Sequence, residues 1–200
     1  MPMRRLLPLL VVLVSAALPA AAAERVLVFG ATGKLGAEVA RALEGAGYEV
    51  TAFVRPGSDR GRLSGLEVDY VTGDLLVAAD VRAAFAGARI DAVVDASARG
   101  SAGDDFYPTA MRHIVAAAAA AGRPRVVLHG SVGAGDNASR FPQAPFGRMA
   151  ATLAAKGEAE QVLRASGLPW VIIRNGILVP DGTPATGRAA CRCCSTSSTW

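Results

Sequence analysis

An apolar run ends in three glycines spaced three apart at Val26-Leu27-Val28-Phe29-Gly30-Ala31-Thr32-Gly33-Lys34-Leu35-Gly36, and a helical pattern follows. Few backbones satisfy that string. A strand, a tight turn and a helix must follow one another with no side chain in the way. Gly30 allows the turn. Gly33 lets the main chain approach a ligand without a Cβ between them. Gly36 lets the helix lie close on the strand. The start of such a helix offers unpaired N–H groups and a partial positive charge, which suits the pyrophosphate of a dinucleotide. The spacing is G-x-x-G-x-x-G, not the G-x-G-x-x-G of the usual dinucleotide fingerprint.

The rest of the chain alternates in the same way. Strands are expected at 25–29, 48–54, 68–71, 92–95, 126–128 and 170–173. Helices are expected near 34–46, 79–86, 106–121 and 148–166. The first should bury Leu35, Val39, Ala42 and Leu43, and Gly45 and Gly47 should end it. Val81, Ala84 and Phe85 mark the second helix, and Met111, Ile114 and Val115 the third. A loop rich in Gly, Asn and Pro spans 130–147. Continuous apolar strands joined by helical crossovers predict a parallel sheet covered on both faces. The expected fold is α/β, a Rossmann-like doubly wound parallel sheet in a single domain. Its ligand should lie beyond the carboxyl ends of the strands.

The two ends of the chain differ from this body. Met1-Pro2-Met3-Arg4-Arg5 is a short positive segment, Leu6 to Pro19 is apolar, and Ala21-Ala22-Ala23 fits a small-residue cleavage site. Residues 1–23 are read as a signal peptide, which makes the protein periplasmic or secreted. An uncleaved anchor, or a misassigned start before a cytoplasmic protein, is the alternative. The run is short for a span of ~20 apolar residues and contains Pro8 and Pro19, so no stable span is expected after cleavage. At the other end, Cys191, Cys193 and Cys194 are all the cysteines of the chain, and they sit in an aperiodic tail. Their spacing suits neither a metal nor a redox pair. Residues 188–200 are read as a disordered or frameshifted tail, leaving 24–187 as a C-terminally truncated domain. A truncated sheet exposes the edge of its last strand and invites self-association.

The formal charge of +4 carries no nucleic-acid signal. Between residues 24 and 187, 17 basic residues balance 17 acidic ones, and no basic stripe interleaves with aromatics. No cluster has metal-ligand spacing. Gly130-Ser131-Val132-Gly133 lacks the Gly-x-Ser-x-Gly of a nucleophile elbow. Asp104-Asp105 reads as an acidic helix start. His113 reads as packing. His129 reads as a hydrogen-bonded neighbour of the site or as a residue facing the ligand.

The end of the second strand bears on which dinucleotide fits. An enzyme using NAD places an acid about 20 residues past the glycines, to hold the ribose 2′-OH. Here Arg55 stands there, and no acid follows until Asp59. A guanidinium pairs with a 2′-phosphate. The expected cofactor is NADP rather than NAD.

These segments together resemble the atypical short-chain dehydrogenase/reductase superfamily. The likeness is to its single-domain NAD(P)H-binding group, which includes NmrA-like proteins and the biliverdin reductase B/flavin reductase type. It runs in order through Gly30–Gly36, Val50–Arg55, Val71-Thr72-Gly73-Asp74-Leu75, Asp91–Asp95, His129-Gly130-Ser131 and Lys156–Leu168. The resemblance implies that Gly30, Thr32, Gly33, Lys34, Leu35 and Gly36 hold the cofactor with Arg55. It implies that Asp74 and Leu75 bracket the adenine, and that Ala96-Ser97-Ala98 passes under the nicotinamide-side ribose. Ser131 falls at the superfamily's active-site serine and Lys156 at its lysine, which makes both candidate catalytic residues. The Tyr-x-x-x-Lys pattern is broken, because Thr152 stands where the tyrosine would be. A threonine hydroxyl is far too weak an acid to replace a phenol. Only two lysines occur beside 19 arginines, which singles out Lys34 and Lys156. The superfamily's Arg-Pro after strand six is here Arg174-Asn175. The implied function is NADPH-dependent reduction of a small-molecule acceptor such as a flavin, a quinone or a similar conjugated compound. The alternative is a non-catalytic NAD(P)-binding redox sensor or assembly factor.

Overall fold

A computed structural model describes residues 23–99, 105–140, 149–176 and 178. Residues 1–22, which hold nearly all of the expected signal peptide, Asp104, residues 141–147 of the Gly/Asn/Pro-rich loop and the cysteine-bearing tail lie outside the described residues.

Six strands form one parallel sheet: β1 (Arg25–Phe29), β2 (Glu49–Val54), β3 (Val68–Thr72), β4 (Ala92–Asp95), β5 (Arg125–Ser131) and β6 (Trp170–Asn175). Their spatial order is β3-β2-β1-β4-β5-β6. Four helices serve as crossovers: α1 (Lys34–Gly45), α2 (Ala78–Ala83), α3 (Phe106–Ala120) and α4 (Ala150–Ala165). Chain direction across the sheet reverses between β1 and β4. The carboxyl ends of the strands splay apart there, which is where ligands of open α/β sheets bind.

Alternating side chains divide the core into two layers. Leu27, Phe29, Phe53, Val93, Val126 and Leu128 pack under α2, α3 and α4, against Met111, Ile114, Ala117, Ala159 and Leu163. Val26, Val28, Val50, Ala52 and Val54 pack on the other face, under Ala37 and Ala40 of α1 and Leu63. Strands buried on both faces need the near-continuous apolar sequences seen here.

The buried face of α1 differs from the sequence expectation. Gly36, Ala37 and Ala40 are buried, Leu35, Val39 and Leu43 are half-buried, and Ala42 is exposed. The cause is close approach. A Cβ on Gly36 would stand 2.1 Å from the Gly30 carbonyl oxygen, so only small residues fit the centre of this face. The larger side chains flank it. Strand β5 also runs three residues past its expected end. Its extension pairs His129 with Ile173, Gly130 with Arg174 and Ser131 with Asn175. The expected loop after it opens with a 3-10 turn at Gly135–Arg140.

A buried ion pair ties these last elements together. Arg174 Nε donates to Glu160 Oε1 at 2.9 Å, and Arg174 Nη2 donates to Glu160 Oε2. Asp136 adds a second carboxylate at 2.5 Å from the same Nη2. The Glu160 side chain is only 2% exposed. Glycines make room for it, since a Cβ on Gly130 would come within 2.9 Å of Glu160 Oε1 and one on Gly135 within 2.4 Å of Oε2.

Candidate dinucleotide and acceptor site

A cleft of about 440 Å³ opens along the carboxyl ends of β1, β2, β4 and β5. The glycine loop forms one wall. Gly30 has φ +76, a conformation that L side chains rarely adopt, and a Cβ there would meet Ala96 and Ser97 at 2.7 Å. The turn closes through Gly33 N–H donating to the Gly30 carbonyl at 2.9 Å. Gly33 then caps α1 with extended backbone and no side-chain cap. The first-turn N–H groups of α1 have no carbonyl four residues back within the helix, which leaves them for a ligand. A side chain on Gly30 or Gly36 would close this cradle, so the residues present fit a dinucleotide pyrophosphate.

Thr32, Gly33, Lys34, Leu35, Arg55, Asp74, Leu75, Ala96, Ser97, Ala98 and Lys156 line the cleft with Gly30. Gly36 is buried behind the loop, holding α1 against β1. Ser131 is absent from the described lining. It lies two residues past His129, paired with Asn175.

The end near β2 is basic. Arg55 is exposed at the end of β2, with Ser58 N–H donating to its carbonyl at 3.1 Å. Arg62 reaches the same region from the short 3-10 turn Gly61–Leu63 and donates to the Thr32 carbonyl at 3.4 Å. Sequence reasoning passed over Arg62 because the reach is made across the fold. Asp74 accepts from Leu76 N–H at 2.9 Å, which orients its carboxylate. His113 hydrogen-bonds through Nδ1 to the Leu75 carbonyl at 2.8 Å. A carbonyl only accepts, so Nδ1 carries the proton there. His113 thus fixes the loop that borders the cleft.

The opposite end gathers residues from the segment after β4 and from α3, β5 and α4. Phe106, Arg99, His129 and Lys156 all line it. Lys156 Nζ lies 5.3 Å from the centroid of the Tyr107 ring, and the Arg99 guanidinium carbon lies 5.5 Å from that of Phe106. Tyr107 Oη accepts a long hydrogen bond from Arg99 N–H at 3.4 Å. Behind these, Asp95 is buried and accepts from Ser97 N–H at 2.9 Å. Burial pushes the Asp95 carboxyl above the usual carboxylate range, opposed by Ser97 and Lys156. The Ser97 hydroxyl is close enough to favour the carboxylate but makes no hydrogen bond of good geometry. Burial lowers the Lys156 ammonium, while Asp95 and Glu160 hold it up. Burial first, and Lys156 second, lower His129 to about 4. The imidazole is therefore neutral at ordinary pH, and its buried Nε2 has no partner. Two polar atoms, Ser97 Oγ and His129 Nε2, thus stand unpaired at this end, where a bound molecule would satisfy them.

Among the described residues, no cluster of three or more His, Cys, Asp or Glu could hold a metal ion. Among the same residues, no helix is long and apolar enough to cross a membrane.

The strand order, the glycine cradle and the cleft at the switch point define a Rossmann-like dinucleotide-binding protein. The sequence pattern of the NAD(P)H-binding family matches residues 30–191, and the chain belongs to that family, within the atypical short-chain dehydrogenase/reductase group. It is 32% identical over 184 residues to a 3-diazoavenalumate denitrifying reductase of Streptomyces, covering 80% of this chain and 58% of that protein. The chain therefore spans little more than half the length of this curated relative. Among solved structures, an anaerobillin reductase of Escherichia coli O157:H7 superposes with a TM-score of 0.65 at 28% identity, covering 75% of this chain and 71% of that one. A candidate NAD-dependent epimerase/dehydratase of Bacillus halodurans superposes with a TM-score of 0.66 at 29% identity, covering 82% of this chain and 75% of that one.

Proposed function

We propose that the protein is an NADPH-dependent reductase of a flavin, a quinone or a similar conjugated acceptor. One observation carries the reading, the composition of the cleft from end to end. Lys34 and Arg55 line the end near β2, while Lys156, His129 and Phe106 line the other, with no phenol among the described lining residues. The likeness to two proteins described as reductases supports it.

The loop at residues 30–36 and the start of α1 would hold the pyrophosphate through main-chain N–H groups. Arg55, with Arg62 behind it, would pair with a 2′-phosphate. Asp74 and Leu75 would bracket the adenine, and Ser97 Oγ would find its partner on the nicotinamide-side ribose. When bound, the reduced nicotinamide would supply a hydride, that is two electrons and one proton. The chain's own residues then position and polarise. Lys156 presents a cation that Asp95 keeps charged in a buried setting. His129, neutral, offers Nε2 to the acceptor. Ser131, outside the lining, acts only through the β5–β6 pairing. No side chain at the acceptor end is a strong acid matched to neutral pH, so solvent delivers the proton. Electron-poor conjugated acceptors tolerate that arrangement, because positioning in a sheltered pocket supplies most of the acceleration.

The N-terminal composition supports export of the protein, with cleavage after Ala23, before Glu24. The β6 edge supports self-association.

The test is fluorescence titration with NADPH and NADH, then loss of nicotinamide absorbance with FMN or menadione. Arg55→Glu should weaken NADPH by about 10–100-fold, the worth of a charge-assisted pair, and leave NADH within about threefold. Tight NADPH binding without turnover on any acceptor would favour the sensor alternative. Equal NADH and NADPH affinity would remove the 2′-phosphate assignment.

A further inference from the structure

A hydrogen-bond relay that starts outside the cleft ends on one of its lining carboxylates. After β3 the chain turns through Gly73-Asp74-Leu75-Leu76-Val77, and the main chain is fixed on both sides of Asp74. Asp74 N–H donates to Asp80 Oδ2 at 2.9 Å, and the Asp74 carbonyl accepts from Val77 N–H at 3.0 Å. Two freedoms remain, the tilt of the Leu75–Leu76 peptide and the rotation of the Asp74 carboxylate. That one peptide settles both. Its carbonyl, on Leu75, accepts from His113 Nδ1 at 2.8 Å. Its N–H, on Leu76, donates to Asp74 Oδ1 at 2.9 Å. The C=O and N–H of a peptide share a plane, so a donor that fixes the first also aims the second. It polarises the N–H as well, which strengthens the bond to the carboxylate. His113 has a firm base for this. Ala110 and Ala117, about a turn to either side, and Ile114 beside it are buried in the core, as is Leu75. Asp74 lines the cleft, and its Oδ2 makes no hydrogen bond among the described residues. His113 is not among the described lining residues.

We infer that His113 is a positioning residue for base recognition: through the Leu75–Leu76 peptide it holds the Asp74 carboxylate toward the exocyclic amino group of the adenine. The inference rests on the assignment of the adenine to Asp74 and Leu75 in the proposed function. It adds that base selectivity depends on a histidine the cofactor does not touch. Hypoxanthine in place of adenine exchanges the 6-amino donor for a 6-oxo acceptor and puts a donor on the neighbouring N1. A carboxylate held by Leu76 N–H meets the oxo group and loses its partner. A carboxylate released from that hold turns and accepts from N1–H instead.

The probes are NADPH and reduced nicotinamide hypoxanthine dinucleotide phosphate, titrated into the full chain by nicotinamide fluorescence. The unmodified chain should bind NADPH at least about tenfold more tightly, as loss of a hydrogen bond to a charged group requires. His113→Leu and His113→Ala should both narrow that ratio to within about threefold. The alanine variant, a strong helix former, secures the test where leucine disturbs the packing. His113→Asn places an amide N–H at about the position of Nδ1 and should restore the ratio. A Leu or Ala variant that keeps the ratio, whether or not both affinities fall, overturns the inference and leaves the adenine assignment standing, since the ring would then only pack. An Asn variant that behaves like the Leu variant overturns the hydrogen-bond route. Equal affinity of the unmodified chain for the two dinucleotides overturns the Asp74–adenine assignment, and the inference with it. No NADPH binding overturns the dinucleotide reading itself.

Discussion

Breaking the Glu160–Arg174 pair should cost more than any surface change in this chain. Glu160 is 2% exposed and Arg174 18%, so the two charges hold each other in a largely dry setting. Removing one member of such a pair leaves the other without its counter-charge, at a cost of about 3–5 kcal/mol. For Glu160→Gln the lower end applies. Arg174 keeps Asp136 at 2.5 Å, and Asp136 is 70% exposed and able to follow it. About 3 kcal/mol should lower Tm by about 6–12 °C in a domain of this size. Arg174→Met leaves Glu160, among the described residues, with no second cation hydrogen-bonded to it and only the longer-range charge of Lys156, so the upper end applies. The double variant Glu160→Met/Arg174→Met places two apolar chains of similar length in the same space. It should recover most of the loss, as replacement of buried pairs by apolar residues does. Thermal melts of the wild type, Glu160→Met, Arg174→Met and the double variant close a double-mutant cycle, and singles of about 3–5 kcal/mol each with most of the loss recovered in the double give a coupling above about 3 kcal/mol. A Glu160→Gln drop under about 2 °C, or a double variant as unstable as the sum of the singles, would refute the reasoning. The pair would then be a solvated contact rather than the clamp between β6, α4 and the turn at Gly135–Arg140.

Gly36→Ala should abolish NADPH binding and lower Tm together, because the new Cβ would sit 2.1 Å from a backbone oxygen with no flexible group to yield; unchanged titration and melting curves would count against the close-packed cradle. His129 has a folded pKa of about 4, below its unfolded value, so the unfolded chain binds the extra proton between roughly pH 4 and 6.5 and stability falls as pH drops through that window. His129→Asn should flatten the dependence of Tm on pH there, and an NMR titration should place the imidazole midpoint near 4; a midpoint near the ordinary value would contradict the buried neutral assignment. Ile173, 49% exposed on β6, should drive self-association through that edge. Light scattering should show a concentration-dependent mass that Ile173→Lys reduces, and a monodisperse monomer at high concentration would oppose this.

The cofactor end of the cleft was legible because its determinants are local and written in glycine. Gly30, Gly33 and Gly36 state where the main chain must turn and where a helix must touch a strand, and those are constraints on neighbours in sequence. The doubly wound parallel class of the sheet followed from the alternation of strands and helices with right-handed crossovers. The face of α1 did not follow. Periodicity weighs large apolar residues most, whereas the contact with Gly30 selects the smallest, so Ala37 and Ala40 displaced Ala42. The acceptor end was hidden for another reason. Arg99, Phe106, Tyr107, His129 and Lys156 come from four separate segments, and each looks ordinary alone. Arg62 and Glu160 carried even less signal. A surface-looking arginine and a helix-looking glutamate gained their roles only through partners at Thr32 and Arg174.

The loss of the tyrosine at position 152 and the state of His129 constrain the chemistry jointly. Had His129 been a cation at neutral pH, it could have replaced the missing phenol as a proton donor. Burial and the neighbouring Lys156 exclude that by holding it neutral. Lys156 cannot fill the gap cheaply either. Burial lowers its ammonium, but Asp95 and Glu160 both oppose that loss of charge. This end of the cleft therefore presents a neutral imidazole and an ammonium steadied by two carboxyl groups, with no phenol among its described lining residues. On the reductase reading proposed above, such a site would favour acceptors that gain negative charge on reduction and spread it over a conjugated framework, stabilised by Lys156 and a neutral imidazole until solvent supplies the proton. An isolated ketone, whose alkoxide needs a proton as it forms, would gain far less.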